Sequence, residues 1–261
     1  MNHTLLVDIR DQIATLTFNR PAVKNAMDYD LMIALKTATE AVSDNAEVRA
    51  VVVRGAGGSF MAGGDITQFH AHMDTLPQLI IKEAREFHLA ILALRRMGKP
   101  VLAVVEGACA GAGMSMMAAC DIAIATDNAM FTLAYSNLGA SPDGGSTYFL
   151  PRLIGYRKAL ELALLPDRFD AAAALNLGLV NWVVAPTDLE ARVSTLAKRL
   201  ASGPSVAFAK TKMLMNQSLD TSLESQLEAE AQAFSDCART SDIVEGINAF
   251  IGKRKPSFSG K

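Results

Sequence analysis

The run KPVLAVVEGACAGAGMSMMAACDIAIA, residues 99–125, decides how the fold is read. Its opening part, PVLAVVEG (100–107), is apolar without a break from Val101 to Val105. A strand with one wet face would alternate polar and apolar residues. An unbroken run of this length predicts a strand covered on both faces, as in a parallel sheet. GACAGAG (107–113) then offers only small residues and reads as a loop. MSMMAA reads as a short helix, and DIAIAT (121–126) as the next strand. A loop and a helix between two strands leave room for a parallel crossover, which a tight hairpin does not.

The same order recurs upstream. VRAVVVRG (48–55) is a buried strand, GAGGSFMAGGD (55–65) a glycine-rich loop, and 79–97 a helix closed by Gly98-Lys99-Pro100. TLLVDIR (4–10) and IATLTFN (13–19) read as a hairpin, and Pro21 to Asn25 as a loop. Leu31, Leu35, Ala38 and Val42 follow helical spacing behind Asp28, a good N-cap residue. After Arg152 the pattern turns helical over about 154–164, 170–177, 187–202, 204–217, 220–238 and 240–252, interrupted by one short strand, LVNWVVA (179–185). The expectation is an α/β fold of repeated ββα-like units with a mostly parallel sheet. It comprises one catalytic core, 1–200, and a helical extension, 201–261, with no low-complexity linker between them.

Half of the 261 residues are hydrophobic, enough for a sizeable core, and the net charge is −2 with a pI of about 6.1. That balance gives no footing for nucleic acid or an anionic membrane surface. The three cysteines, Cys109, Cys120 and Cys237, are odd in number and lack metal-ligand spacing, so reduced thiols in a cytoplasmic protein are expected. MNHTLLVDIRDQ has neither the basic start nor the apolar run of a secretion signal, and no apolar stretch is long enough to span a bilayer.

Familiar catalytic signatures fail one by one. Gly55-x-Gly57 would need glycine at position 60, which is Phe60, and neither glycine loop carries Gly-Lys-Ser/Thr. No Gly-x-Ser-x-Gly elbow is present. His70 and His72 lie two apart without a third ligand and read as a solvated helix start, so no metal is expected. Small-residue loops leaving strands can instead aim backbone N–H groups into a cavity, and two such groups can hold a developing oxyanion beside a carbonyl. A third loop, within NLGASPDGGSTYFLPR (137–152), holds a single acid, Asp143, between Ser141-Pro142 and Gly144-Gly145. Locally, Asp143 reads either as the cap of the next helix or as a base.

FNRPAVKNAMD (18–28), SFMAGGDI (59–66), the 99–125 run, NLGASPDGGSTYFLPRLIG (137–155) and EGINAFIGKRKPSF (245–258) together resemble the crotonase, or enoyl-CoA hydratase/isomerase, superfamily over nearly the whole chain. The resemblance implies a crotonase (ClpP-like) fold, a superhelix of ββα units, with C-terminal helices that build a homotrimer or a dimer of trimers. It implies an acyl-CoA thioester as ligand, with coenzyme A as part of the substrate and no separate cofactor. Gly64 and Ala112 match the two oxyanion-hole positions. Glycine is usual at the second, and the Ala112 methyl group would narrow the site. Lys24, Ala26, Ala62, Asp65, Ile66 and Ala108 match the path of the CoA nucleotide and pantetheine. Ser115, Tyr135 and Leu138 match the acyl site, and Phe234 and Lys253 match C-terminal positions that reach CoA.

The hydratases of the superfamily use two glutamates, one to activate water and one to supply the α-proton. Ser115 and Tyr135 stand where those glutamates fall. Asp143 matches the single acid of the double-bond isomerases, in Leu-Gly-x-x-Pro-Asp-x-Gly. One carboxylate is enough for a 1,3-proton shift, and an apolar pocket of Met61, Met114, Met116, Tyr135 and Leu138 would favour its basic form of action. The expected activity is isomerisation of Δ3 to Δ2 enoyl-CoA, or of a ring substrate such as epoxyphenylacetyl-CoA. The alternatives are residual hydration, a 4-chlorobenzoyl-CoA-type dehalogenation in which His88 would match the family's histidine, and a non-catalytic acyl-CoA-binding protein. His88 reads more simply as a helix residue facing the core or a loop.

Overall fold

A computed structural model describes residues 4–261. Its strands are β1 (Leu5–Arg10), β2 (Ile13–Phe18), β3 (Ala50–Gly55), β4 (Val101–Val105), β5 (Ala108–Ala110), β6 (Ile122–Thr126), β7 (Met130–Thr132), β8 (Phe169–Asp170) and β9 (Trp182–Val184). The helices are α1 (Tyr29–Asp44), α2 (Ile66–Ala71), α3 (Leu76–Arg96), α4 (Ala112–Ala119), α5 (Ser146–Ile154), α6 (Tyr156–Leu164), α7 (Ala171–Asn176), α8 (Leu189–Ala201), α9 (Ser205–Gln217), α10 (Leu223–Cys237) and α11 (Ser241–Ile251).

The larger sheet runs β1-β2-β3-β4-β6-β9. β1 and β2 form the expected hairpin, Leu5 opposite Phe18, and every further neighbour is parallel. Two apolar clusters explain the unbroken β3 and β4 runs. Val51, Val53, Val101, Ala103 and Val105 pack with Leu31 and Leu35 of α1 and Phe87 and Leu94 of α3. The intervening Val52, Leu102, Val104 and Ile124 pack with Leu189, Val193 and Leu196 of α8. Both faces are therefore dry, which is why alternation is missing from the sequence. Asp28 caps α1 as expected, its Oδ1 accepting the Leu31 N–H at 2.9 Å. This layering, the repeated units and the helical C-terminal region are those the resemblance implies.

The structure corrects the sequence reading in three places. The loop 107–113 contains a strand, β5, which pairs with β7 in a second sheet ordered β5-β7-β8. Three-residue strands of small side chains carry no periodic signal. Helix α5 starts at Ser146, well before residue 154, and carries Pro151 inside it. Proline there reads as a breaker; at the sixth of nine residues it costs α5 one i→i−4 hydrogen bond, and the helix ends three residues later. Met61, Met114 and Met116 do not line an open pocket: all three are fully buried, while Leu138 is 58% exposed.

Candidate active site

The two glycine loops lie against each other. Phe60 N–H donates to Glu106 O at 2.8 Å, Met61 N–H to Ala108 O at 2.9 Å, and Ala110 N–H to Met61 O at 2.9 Å. Their approach requires small residues: a Cβ on Gly113 would stand 2.4 Å from Met61 O. A Cβ on Gly63 would come to 3.9 Å from the Ala112 nitrogen. Gly64 and Ala112 thus follow directly on two touching turns. Gly64 bridges to Met27 through the flanking Gly63 O and Asp65 N–H, and Ala112 opens α4. Among the described residues, neither the Gly64 nor the Ala112 N–H donates to a protein acceptor.

Asp143 sits in the turn before α5. Gly144 has φ +60°, and a Cβ there would stand 2.5 Å from Phe87 Cε1 and 2.8 Å from Ser115 Cβ, so the turn is wedged between α3 and α4. The local alternative, Asp143 as a helix cap, fails. The N-cap is Gly145, with no side-chain capping bond, and only the Asp143 carbonyl reaches the helix, accepting Ser146 N–H at 3.2 Å. The carboxylate faces Tyr135 instead, whose hydroxyl donates to Asp143 Oδ1 at 2.6 Å. Oδ2 has no hydrogen-bond partner among the described residues.

The residues that stand in the glutamate positions form a polar cluster around this turn. Ser115 Oγ donates to Asp143 O at 2.9 Å, and Ser146 Oγ to the same carbonyl at 3.1 Å. The two hydroxyls are 2.5 Å apart, and Ser115 Oγ is 3.2 Å from Tyr135 OH. Ser115 and Ser146 are fully buried. Burial, then the charge of Asp143, pushes the Tyr135 phenol far above its ordinary range, so it stays protonated and remains a donor. On the far side of the turn, His88 Nε2 accepts the Gly144 N–H at 3.2 Å.

A groove of about 520 Å³ is lined by Lys24, Ser59, Ala62, Ala108, Asn128, Ala134, Asn137 and Arg168 among others, with Ala134 and Asn137 flanking Tyr135 in the chain. Lys24, Ala62 and Ala108, expected to bind the ligand, share this groove. Ser59, Asn128 and Arg168 line it too and were not singled out, because they come from separate segments and no local pattern joins them. Asp65 does not line the groove. Its carboxylate caps α2 through Thr67 and Gln68 N–H and pairs with Arg20 Nη2 at 2.9 Å. Burial alone would raise its pKa, but Arg20 and the two backbone donors outweigh burial and hold it below the usual range. Ala26 is buried at 9% exposure, Ile66 is exposed, and neither lines the groove. Phe234 is 71% exposed on α10, Lys253 follows α11, and neither reaches the groove within one chain.

Among the described residues no cluster of histidine, cysteine, aspartate and glutamate could hold a metal, and no helix is long and apolar enough to cross a membrane. Residues 8–261 match the enoyl-CoA hydratase/isomerase family. The chain belongs to that family. It is 36% identical over 262 residues to the crotonyl-CoA hydratase of Syntrophomonas wolfei, covering 98% of both chains. It is 32% identical over 262 residues to the 1,2-epoxyphenylacetyl-CoA isomerase of Escherichia coli, covering all of both. The crystal structure of an enoyl-CoA hydratase from Polaromonas sp. JS666 superposes with a TM-score of 0.92 at 35% identity, covering 97% of this chain and 99% of that one. As a hydratase/isomerase family enzyme, the protein acts on acyl-CoA thioesters.

Proposed function

We propose that the protein is an acyl-CoA isomerase that moves a double bond by a 1,3-proton shift, with Asp143 as its single base. The observation that carries this reading is the Asp143 carboxylate, held through Oδ1 by Tyr135 with Oδ2 left without a protein partner. The groups in the two glutamate positions do not form a second acid pair. Ser115 holds the Asp143 backbone and Tyr135 holds its side chain.

In this reading the acyl-CoA lies along the groove, with Lys24 and Arg168 as cations for its phosphates. The thioester oxygen faces the Gly64 and Ala112 N–H groups, which stabilise the enolate. Asp143 Oδ2 takes a proton from carbon 2 of a Δ3-enoyl thioester and returns it at carbon 4, leaving the Δ2 isomer. A ring substrate of the epoxyphenylacetyl-CoA kind would need the same single base. Hydration would need a second group to activate water, which Ser115 and Tyr135 are poorly suited to do.

The exposed Leu223, Leu227 and Phe234 of α10 and Phe250 and Ile251 of α11 support a homotrimer or dimer of trimers built by residues 201–261. The test is a panel of 2-enoyl, 3-enoyl, dienoyl and aryl thioesters of CoA, with Asp143→Asn as control. Turnover of the 3-enoyl or ring substrate that the Asn variant loses supports the isomerase. Retained turnover in that variant overturns it, and halide release from a chloroaryl thioester would favour ring attack instead.

A further inference from the structure

The Asp143–Gly144 peptide is held at both ends by different elements. Its carbonyl accepts from Ser115 of α4 and Ser146 of α5, at 2.9 and 3.1 Å. Its N–H, on Gly144, donates to His88 Nε2 of α3 at 3.2 Å. Gly144 is itself buried, so this N–H has no easy access to solvent. His88 is thus the polar contact that ties α3 to the turn carrying the carboxylate. Phe87, the preceding residue, supplies the steric wall, standing 2.5 Å from where a Gly144 Cβ would be.

We infer that His88 is a positioning residue: its neutral imidazole, accepting the Gly144 N–H, fixes the orientation of the Asp143 carboxylate from behind. The inference rests on Asp143 being the base. An imidazole nitrogen that accepts must be unprotonated, so His88 carries its hydrogen on Nδ1. Protonation would set an N–H against the Gly144 N–H and release the turn. The side chain borders a second cavity of about 730 Å³, which Gly144 and Gly145 of the turn also line. The charged and titratable groups around that cavity are Arg95 and Arg96 of α3, Tyr148 of α5 and Lys212 of α9. Arg95 and Lys212 both pair with Asp121, and Tyr148 donates to Asp220. Asp143 is the acid on the neighbouring turn.

Two variants separate the acceptor from the ring. His88→Phe keeps the ring shape and removes the acceptor, whereas His88→Gln loses the ring and places a carbonyl oxygen near the position of Nε2. With the 3-enoyl or ring thioester identified by the panel, His88→Phe is expected to lower kcat by roughly tenfold to a hundredfold, the scale of a small misplacement of a catalytic group. KM should change less than threefold, roughly, because the groove residues are untouched. His88→Gln should restore most of the lost kcat. Full kcat in His88→Phe, or equal loss in both variants, would overturn the clamp. Asp143→Asn in the same assay keeps the two proposals apart: if it is inactive while His88→Phe is fully active, only the clamp fails.

A second readout needs no turnover. In 15N-labelled protein, His88 Nε2 should show the signal of an unprotonated acceptor, and the Gly144 amide resonance should move in His88→Phe and less in His88→Gln. An Nε2-protonated His88 at neutral pH would rule the inference out.

Discussion

Two carboxyls sit on neighbouring elements of this molecule and are treated in opposite ways. Asp143 lies on a turn where Tyr135 donates to its side chain and three further groups hold its backbone. Glu83, one helical turn before Phe87 on α3, is 2% exposed, and neither of its oxygens has a hydrogen-bond partner. Burial first, and the negative charge of Asp28 second, raises the Glu83 carboxyl above its ordinary range. The contrast teaches that burying an acid does not by itself make a base. Asp143 has one oxygen oriented and the other left open, whereas Glu83 is only enclosed. A carboxyl without partners is a stability burden, and one with a single donor is a tool.

The sharpest way to break the comparison is to remove the Asp143 charge. Asp143→Asn should lower kcat by about a thousandfold, within the usual range for a positioned general base, while product-CoA affinity stays within about twofold by calorimetry. Tyr135→Phe should come next. Losing a hydrogen bond to a charged group costs about 1.5–3 kcal/mol, so kcat/KM should fall by roughly tenfold to a hundredfold.

Glu83 should answer in stability rather than rate. Glu83→Leu should gain about 1–3 kcal/mol in urea unfolding with little change in turnover, since it removes a buried group without partners. A loss of stability would show that the carboxyl does have a partner in solution. The pH dependence is smaller but has a definite sign. The Glu83 folded pKa is raised. Its contribution to stability is therefore complete below the unfolded carboxyl value, about 4.3, and is lost as pH climbs through the raised folded value. Glu83→Gln should flatten that part of the stability curve, measured by unfolding between about pH 4 and 8.

Much of the frame was legible before any coordinates. The dry strands from Val51 to Val53 and Val101 to Val105 declared a parallel sheet, and Asp28 was read as the cap it is. What escaped was short or masked. β5 and β7 are three residues each, and Pro151 hid the true start of α5. Lys24, Ala62 and Ala108, singled out by motif matches, share one groove with Arg168, Asn128 and Ser59, which left no local trace. Asp65 was assigned to the ligand path on the same grounds, yet Arg20 and the first turn of α2 already occupy it.

The sequence by itself determined the strand order of burial, the two small-residue loops and one acid in a proline–glycine turn, because each depends on residues adjacent in the chain. Only the tertiary structure decided which groups meet that acid: Tyr135 from 8 residues away, Ser115 from 28, and His88 from 56 residues before Gly144. The physical reason is that such contacts depend on the rotation of α3 and α4 about their axes as they pack on the sheet. Core volume sets that rotation, and no short stretch of sequence contains it.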